Sequence, residues 1–488
     1  MKQHQPRSSL SCTPLVTLFA ARIVRSATLA LVVSTVWLPS RSEAAGVSDP
    51  FDTQSLTPPR PLLTLPADPA FVPCQPHPTG SPYNVLDVVD EALCQNPKTR
   101  EGWASARVQA AEVGVARSAY LPTLYGGATV SHQRTDGSDT TTRGASLTLA
   151  WLLYDSGARD AGLEYARQLL SAAAATLDDT VQTIFLAALQ SYYNAQAARA
   201  ALSAAQETEK ASRESLNAAE TRYRVGTATP ADRLQAQTAW SQAVLNRIQA
   251  ERTVKTTLGA LANVMGLDAN TPLVLDAIPE ATPDPSFERD IEALIAEARR
   301  RRPDLQAVEA QVRAARANIE QARASGLPTL SFGATPSWQD SGSFSTHNQS
   351  VGLSLSIPIF SGFETTYRVR AAQARADVVD AQRETLRQQV ALDVWTTYQS
   401  LLTATQSIRT AGDLLTSALQ SERVALGRYK AGVGTILDVL NAQSALAAAR
   451  VQRIQAALDW AVSRAALARA VGTLDHRLLN LSAELPIP

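Results

Sequence analysis

The chain has 488 residues, enough for a large core or several domains, and its 45 basic residues balance 45 acidic ones. A net charge of zero gives no electrostatic reason for a nucleic-acid partner. Five scattered histidines and three cysteines form no complete metal-ligand pattern, and no phosphate loop, nucleophile elbow or paired-carboxylate cleft is visible, so neither an enzyme nor a bound cofactor is expected.

In chain order, Lys2, Arg7, Arg22 and Arg25 precede an apolar run from Ala27 to Leu38, and Ser42-Glu43-Ala44 places small residues at a cleavage site. This predicts a signal peptide over 1–44, with an apolar run too short to span a bilayer as a helix; an uncleaved anchor is the alternative. A Pro-rich extension, 45–85, follows. Cleavage removes Cys12 and leaves Cys74 and Cys94, which in an exported chain most simply form one disulfide. Two separately buried thiols are the alternative, and Cys74-Gln75-Pro76-His77 is a metal half-site with no second half.

Residues 86–119 read as one helix ended by Leu121-Pro122. A strand at 123–133, a polar loop at 134–144 and a strand at 145–154 are expected to form a β-hairpin. In the second strand Leu147, Leu149, Trp151 and Leu153 alternate with Ser146, Thr148 and Ala150. From 158 to about 221 no proline occurs, which predicts one helix of about 64 residues, near 96 Å long. Arg222-Tyr223-Arg224-Val225-Gly226 closes it, with Gly226 suited to the left-handed C-terminal position. Thr229, Pro230 and Asp232 then open a helix that runs to Gly266.

Everything then recurs 206 positions on: Pro97 meets Pro303, Tyr154 meets Phe360, Tyr192 meets Tyr398, Arg222-Tyr223 meets Arg428-Tyr429, Gly226 meets Gly432, Asp232 meets Asp438, Gln237 meets Gln443, and Gly266 meets Gly472. One structural unit is used twice. Repeat 1 spans 86–272, a linker 273–291, repeat 2 292–475 (first helix about 292–325, strands about 329–339 and 349–360, long helix 364–427, last helix 436–471) and a tail 476–488. In each copy the two short helices, laid end to end, match the long one, giving a helical rod about 100 Å long capped by a hairpin. Val394, Leu401, Ile408 and Leu415 repeat every seven residues, as in a coiled-coil seam.

Alternating strands of about ten residues, in an exported chain without an apolar spanning helix, have the length and pattern of membrane β-strands. A bilayer demands closure, which four strands cannot achieve alone; three chains give twelve strands. The fold class is therefore mainly α with a membrane β-barrel, a duplicated helix–hairpin–long helix–helix unit in a trimer. A soluble hairpin packed on its own helices is the competing reading.

That element order, the Arg-Tyr-x-x-Gly turns and the Asp438-x-x-Asn441 pattern resemble the TolC family of outer-membrane export channels over about 86–475. The resemblance implies a homotrimer with a twelve-stranded barrel in outer-membrane lipid. It also implies a periplasmic α-helical tunnel, a periplasmic adaptor and an inner-membrane ABC or proton-driven transporter. The turns at Gly226 and Gly432 correspond to the closed periplasmic tip. Tyr429 and Asp232 match the tyrosine and aspartate that hold the family's tip shut, whereas Gly434 stands where the family has an arginine. Asp438 matches one acidic ring, and Asn441 replaces the acid of the other. The Pro-rich extension with its cysteines resembles channels that export large repeat toxins, which implies a passive exit duct for a type I secreted protein. Multidrug or metal efflux is the alternative, and a trimeric structural stalk the alternative of another class. Read without the family, Asp232 and Asp438 are ordinary first-turn acids and Tyr223 and Tyr429 packing residues.

Overall fold

The computed structural model describes residues 49–60, 73–75, 77–78, 80–276 and 290–474. The expected signal peptide, parts of the Pro-rich extension, most of the linker and the tail 476–488 lie outside the described residues. Met1–Pro50 and Phe51–Pro488 are separate units, and every helix and strand named here belongs to the second.

The expected single helix 86–119 is two helices, α1 (Val85–Gln95) and α2 (Pro97–Ser118). Asn96 breaks them because it precedes proline: its backbone is extended, with φ −61 and ψ 128. Pro97 then starts α2, where its missing N–H is not needed. Asn96 caps the new helix by accepting from Lys98 N and donates its Nδ2 to Val264 O. Repeat 2 is broken in the same way. The expected 292–325 helix becomes α5 (Ile291–Arg301) and α6 (Pro303–Ala324), with Arg302 between them in the extended conformation. Arg302 pairs with Asp304 at 2.7 Å and with Asp393 at 2.8 Å.

These breaks are docking points. Gly266, φ +78, follows the helix that ends at Val264 and lies against the first break, where a Cβ would sit 2.7 Å from the backbone of Gln95. Gly472, φ +79, does the same against Arg301 and Arg302, at 3.1 Å.

The strands are β1 (Thr123–Thr135), β2 (Ser138–Tyr154), β3 (Thr329–Asp340) and β4 (Ser345–Ser356), in one antiparallel sheet ordered β1-β2-β3-β4. The loop expected at 134–144 is instead a two-residue turn, Asp136-Gly137, with φ of 51 and 80. The Ser/Thr/Asp run Ser138–Thr142 reads as loop because it lacks an apolar face, yet its β-branched residues extend the hairpin. β4 ends earlier than expected, two residues before Pro358, which cannot donate to a ladder.

The helices α3 (Ala158–Arg224) and α7 (Glu364–Lys430) have 67 residues each, about 100 Å at 1.5 Å per residue. α4 (Pro230–Val264) and α8 (Ile436–Val471) return from them. On the sheet side the helices are layered α2-α3-α6-α7, and on the other side α4-α3-α8-α7. Among the described residues α3 is therefore covered on both flanks, while α2, α4 and α7 each keep one flank without another of these helices. The exposed large apolar residues on those helices include Val108 and Val115 on α2, Leu234, Leu245 and Ile248 on α4, and Leu392, Trp395 and Val424 on α7.

Two larger cores lie around the helix breaks. One joins α1 to Ile184–Ala195 of α3 and the end of α4. Its counterpart joins α5 to Val390–Ala411 of α7 and to α8, and includes Val394, Leu401 and Ile408 of the seven-residue seam. Ahead of α1, a segment from Phe51 lies along α2. Arg117 donates to Phe51 O, Trp103 Nε1 to Pro58 O, and Gly114 leaves room for the Thr53 methyl.

Candidate functional site

Two regions concern function: the turns that join the long helices to α4 and α8, and the sheet. Both turns are built alike. Gly226 (φ +76) and Gly432 (φ +81) take the left-handed position. The amides of Thr227 and Val433 reach back to the carbonyls of Arg222 and Arg428, a Schellman closure of each helix end. Thr229 caps α4 and Thr435 caps α8, each in a capping box with Asp232 and Asp438 respectively. Hydrogen bonds from Thr435 hold the Asp438 carboxyl below the usual carboxylate range. Asp438 and Asn441 are both exposed, one turn apart on α8. Gly434 is confined, since a Cβ there would lie 3.1 Å from Tyr429 N.

The two tyrosines of the repeat have different surroundings. Tyr223 is 38% exposed, with Arg233 of its own hairpin 5.1 Å from its ring centroid. Tyr429 is 5% exposed, packed with Leu216, Ala219, Ala236, Ile436 and Val439. Arg222 crosses from repeat 1 to cover it: the guanidinium is 4.1 Å from the ring centroid, and Nη2 donates to the carbonyls of Tyr429 and Lys430. Among the described residues the buried Tyr429 hydroxyl meets no partner in good hydrogen-bond geometry. Burial raises its pKa, Arg222 opposes that, and the nearby Asp232 charge adds to it. Asp232 itself hydrogen-bonds Thr229 N and Oγ1, at 2.8 and 2.9 Å. Tyr429 and Asp232 are thus neighbours, with no hydrogen bond between them among the described residues.

Two side chains that the sequence reading does not place at a site complete this seam. Ser215 on α3 and Gln443 on α8 are buried and hydrogen-bonded at 3.0 Å. The match of Gln237 to Gln443 in the repeat is the available signal. A cleft of about 230 Å³ opens over Arg222 and Tyr429, rimmed by Glu214 and Glu422.

Away from the turns, Cys74 and Cys94 form a disulfide with a Cα–Cα distance of 5.7 Å. Asp90 accepts from Cys74 N at 2.8 Å, and its burial raises its pKa. With both sulfurs bonded to each other, the trio Cys74, Asp90 and Cys94 offers no thiolate to a metal. His77 is stacked on Tyr83, centroids 3.8 Å apart.

The sheet has one apolar and one polar face, because side chains alternate along each strand. Leu124, Leu149, Ala334 and Val351 are register partners across all four strands. Trp151, Phe332 and Leu353 form a second apolar row. A row on the opposite face is Gly127, Ser146, Ser337 and Asn348. Apolar side chains on β2 run from Ala145 to Leu153, about 27 Å along the strand, or about 21 Å of membrane depth at a tilt near 40°. No described helix is long and apolar enough to cross a membrane.

A duplicated helical unit with such a sheet has known counterparts. The profile of the outer membrane efflux protein family matches residues 88–267 and 294–473, one stretch per repeat. The chain belongs to this family. It is 35% identical to protein CyaE of Bordetella pertussis over 405 residues, covering 81% of this chain and 85% of CyaE. It is 28% identical to the alkaline protease secretion protein AprF of Pseudomonas aeruginosa over 438 residues, covering 82% and 86%. The MtrE outer membrane channel of Neisseria gonorrhoeae, in its open state, has the same fold, with a TM-score of 0.70 at 22% identity over 80% of this chain and 89% of MtrE. The resemblance read from the repeat holds. The protein is an outer-membrane channel with a long periplasmic helical portion.

Proposed function

We propose that three copies of this chain form the passive exit duct of a type I secretion system, passing a protein cargo from an inner-membrane transporter, ABC or proton-driven, through a periplasmic adaptor to the cell exterior. The observation that carries this is the pair of open edges. β1 and β4 each have an unpaired edge, and α2/α4 and α7 each have a free apolar flank. An unpaired strand edge is not tolerated in lipid. Setting β4 of one copy beside β1 of the next closes an antiparallel twelve-stranded barrel, with α7 against the neighbour's α2 and α4. The polar sheet face then lines a pore. The chain supplies no chemistry to this process, and energy comes from the transporter. AprF, 28% identical over 438 residues, is by name an alkaline protease secretion protein, which supports a protein cargo.

Deleting the gene and assaying both extracellular protein and drug or metal sensitivity tests the cargo. Loss of one secreted protein with unchanged sensitivity is expected; the reverse pattern would assign the channel to efflux. Single-channel conductance of the purified protein in a planar bilayer tests the duct itself, and a correctly inserted trimer without a pore would favour a stalk.

A further inference from the structure

We infer that Phe363, with Phe360 beside it, is a lipid anchor that fastens the junction of β4 and α7 to the periplasmic leaflet of the outer membrane, at the second repeat only. This rests on the channel reading above and on the duplication of the chain.

Each repeat passes from its second strand into its long helix through two residues in the left-handed conformation, Ser156-Gly157 in repeat 1 and Gly362-Phe363 in repeat 2. The second of the pair is glycine in repeat 1, at φ +89, and phenylalanine in repeat 2, at φ +64. A bulky residue there costs backbone energy that glycine does not. Strain of this kind points to a use for the side chain.

Polar ties hold the first junction. Asp155 pairs with Arg159 at 3.1 Å, Arg159 donates to the carbonyls of Leu152 and Leu153, and Ser156 donates to Pro328 O. Ser361, Gly362 and Thr365 stand at the matching places of the second junction, so neither the ion pair nor the Ser156 bond has an equivalent there. That junction carries Ile357, Ile359, Phe360 and Phe363 instead, all exposed, and the rings of Phe360 and Phe363 meet edge to face at 5.4 Å.

The next copy does not cover these rings. Within one chain, β3 and α6 already stand beside the first junction, where β1 and α2 of the next copy would stand beside the second. With that neighbour in place, a Cβ on Gly157 meets nothing within 4 Å. Tyr154, the match of Phe360, is still 58% exposed. A side chain at 363 therefore points into open space in the closed ring. A register shift at the end of β2 sets Tyr154 opposite Leu330, which in turn pairs with Leu355, so this position belongs to the apolar face of the sheet. Phe360 and Phe363 extend that lipid-facing surface at the end where the sheet meets the helices. Membrane barrels carry aromatic side chains at this depth, where hydrocarbon gives way to headgroups.

The test uses the mature trimer carrying Phe363→Cys, with Thr148→Cys on the opposite sheet face as the water-exposed reference, each labelled with nitrobenzoxadiazole. The Cys74–Cys94 bond keeps those two sulfurs unreactive in the unreduced protein. In phosphatidylethanolamine–phosphatidylglycerol vesicles, the probe at 363 should be quenched by lipids with a doxyl group near the headgroup and shielded from iodide. The probe at 148 should show the reverse. Iodide access at 363 equal to that at 148 would overturn the inference by placing the side chain in water. Shielding from both quenchers would overturn it in favour of burial against the next copy. A second measurement separates anchoring from folding. Phe363→Gly removes both ring and strain, so its trimer should resist heat in detergent at least as well as the wild type, while recovery of trimer from vesicles falls by about tenfold. Phe363→Trp should restore that recovery. Equal losses in detergent and in vesicles would make Phe363 a packing residue and overturn the anchor. A wild-type chain that forms no trimer in vesicles defeats the channel reading instead, a result separate from any comparison of variants.

Discussion

Neighbouring residues on β2 should respond in opposite ways to the same substitution. Leu149 lies mid-band on the apolar face, in register with Leu124 and Ala334, while Thr148 points to the other face opposite Tyr125. Leu149 is four residues from each end of the apolar stretch Ala145–Leu153, so Leu149→Arg places a charge near the bilayer midplane. The cost there is about 2–4 kcal/mol per chain, and about 6–12 kcal/mol for three copies in one barrel. Thr148→Arg keeps its charge in a water-filled lumen and should cost little. Folding into lipid vesicles, followed by the heat-resistant trimer band, measures the first effect. The expected result is a severe loss of trimer for Leu149→Arg and normal yield for Thr148→Arg. The second variant adds three positive charges to the pore wall, so its channels should show lower conductance and weaker cation preference. Equal assembly of both variants, or failure of Thr148→Arg alone, would refute the assignment of faces and with it the barrel.

Other outcomes rest on particular contacts. Gly266→Ala meets both a positive φ and backbone 2.7 Å away, so a loss of about 2–5 kcal/mol is expected by denaturant unfolding. Gly226→Ala, with nothing within 4 Å, should lose only the conformational part, about 1–2 kcal/mol. Cys94→Ser removes a cross-link with a sequence separation of 20 and should cost about 3 kcal/mol in the chain-entropy model, with unfolding midpoints under reducing and oxidising conditions becoming equal. Asp438→Asn should reduce cation preference, because it neutralises a carboxylate repeated three times around the tip. In the wild type the depressed pKa of Asp438 keeps that charge, and the capping it gives α8, as pH falls through the ordinary carboxylate range. Both are lost only below it, which reversal potentials measured across a pH series would show.

The duplication, the two long helices, the capped turns and the two-faced strands are legible in the sequence because each is local: proline and glycine punctuation, a Thr-x-x-Asp box, alternation with period two. The helix breaks are equally local, at Asn96-Pro97 and Arg302-Pro303, but the helical pattern on either side masks the constraint on a residue before proline. The polar start of β2 reads as loop because a strand outside lipid has no apolar face to reveal it.

Only the tertiary structure decided which side chains meet at the tip. Tyr223 and Tyr429 occupy equivalent places in the repeat, yet one is exposed and one buried, because only the second faces the neighbouring hairpin across the seam. Arg222 finds the carbonyl of Tyr429, 207 positions away, only because α3 packs against α8 and brings the ends of the two long helices together. Local pattern set the elements and their faces through backbone geometry. The pairing of Arg222 with Tyr429 and of Ser215 with Gln443 came from the packing of one repeat on the other, where equivalent residues meet inequivalent neighbours.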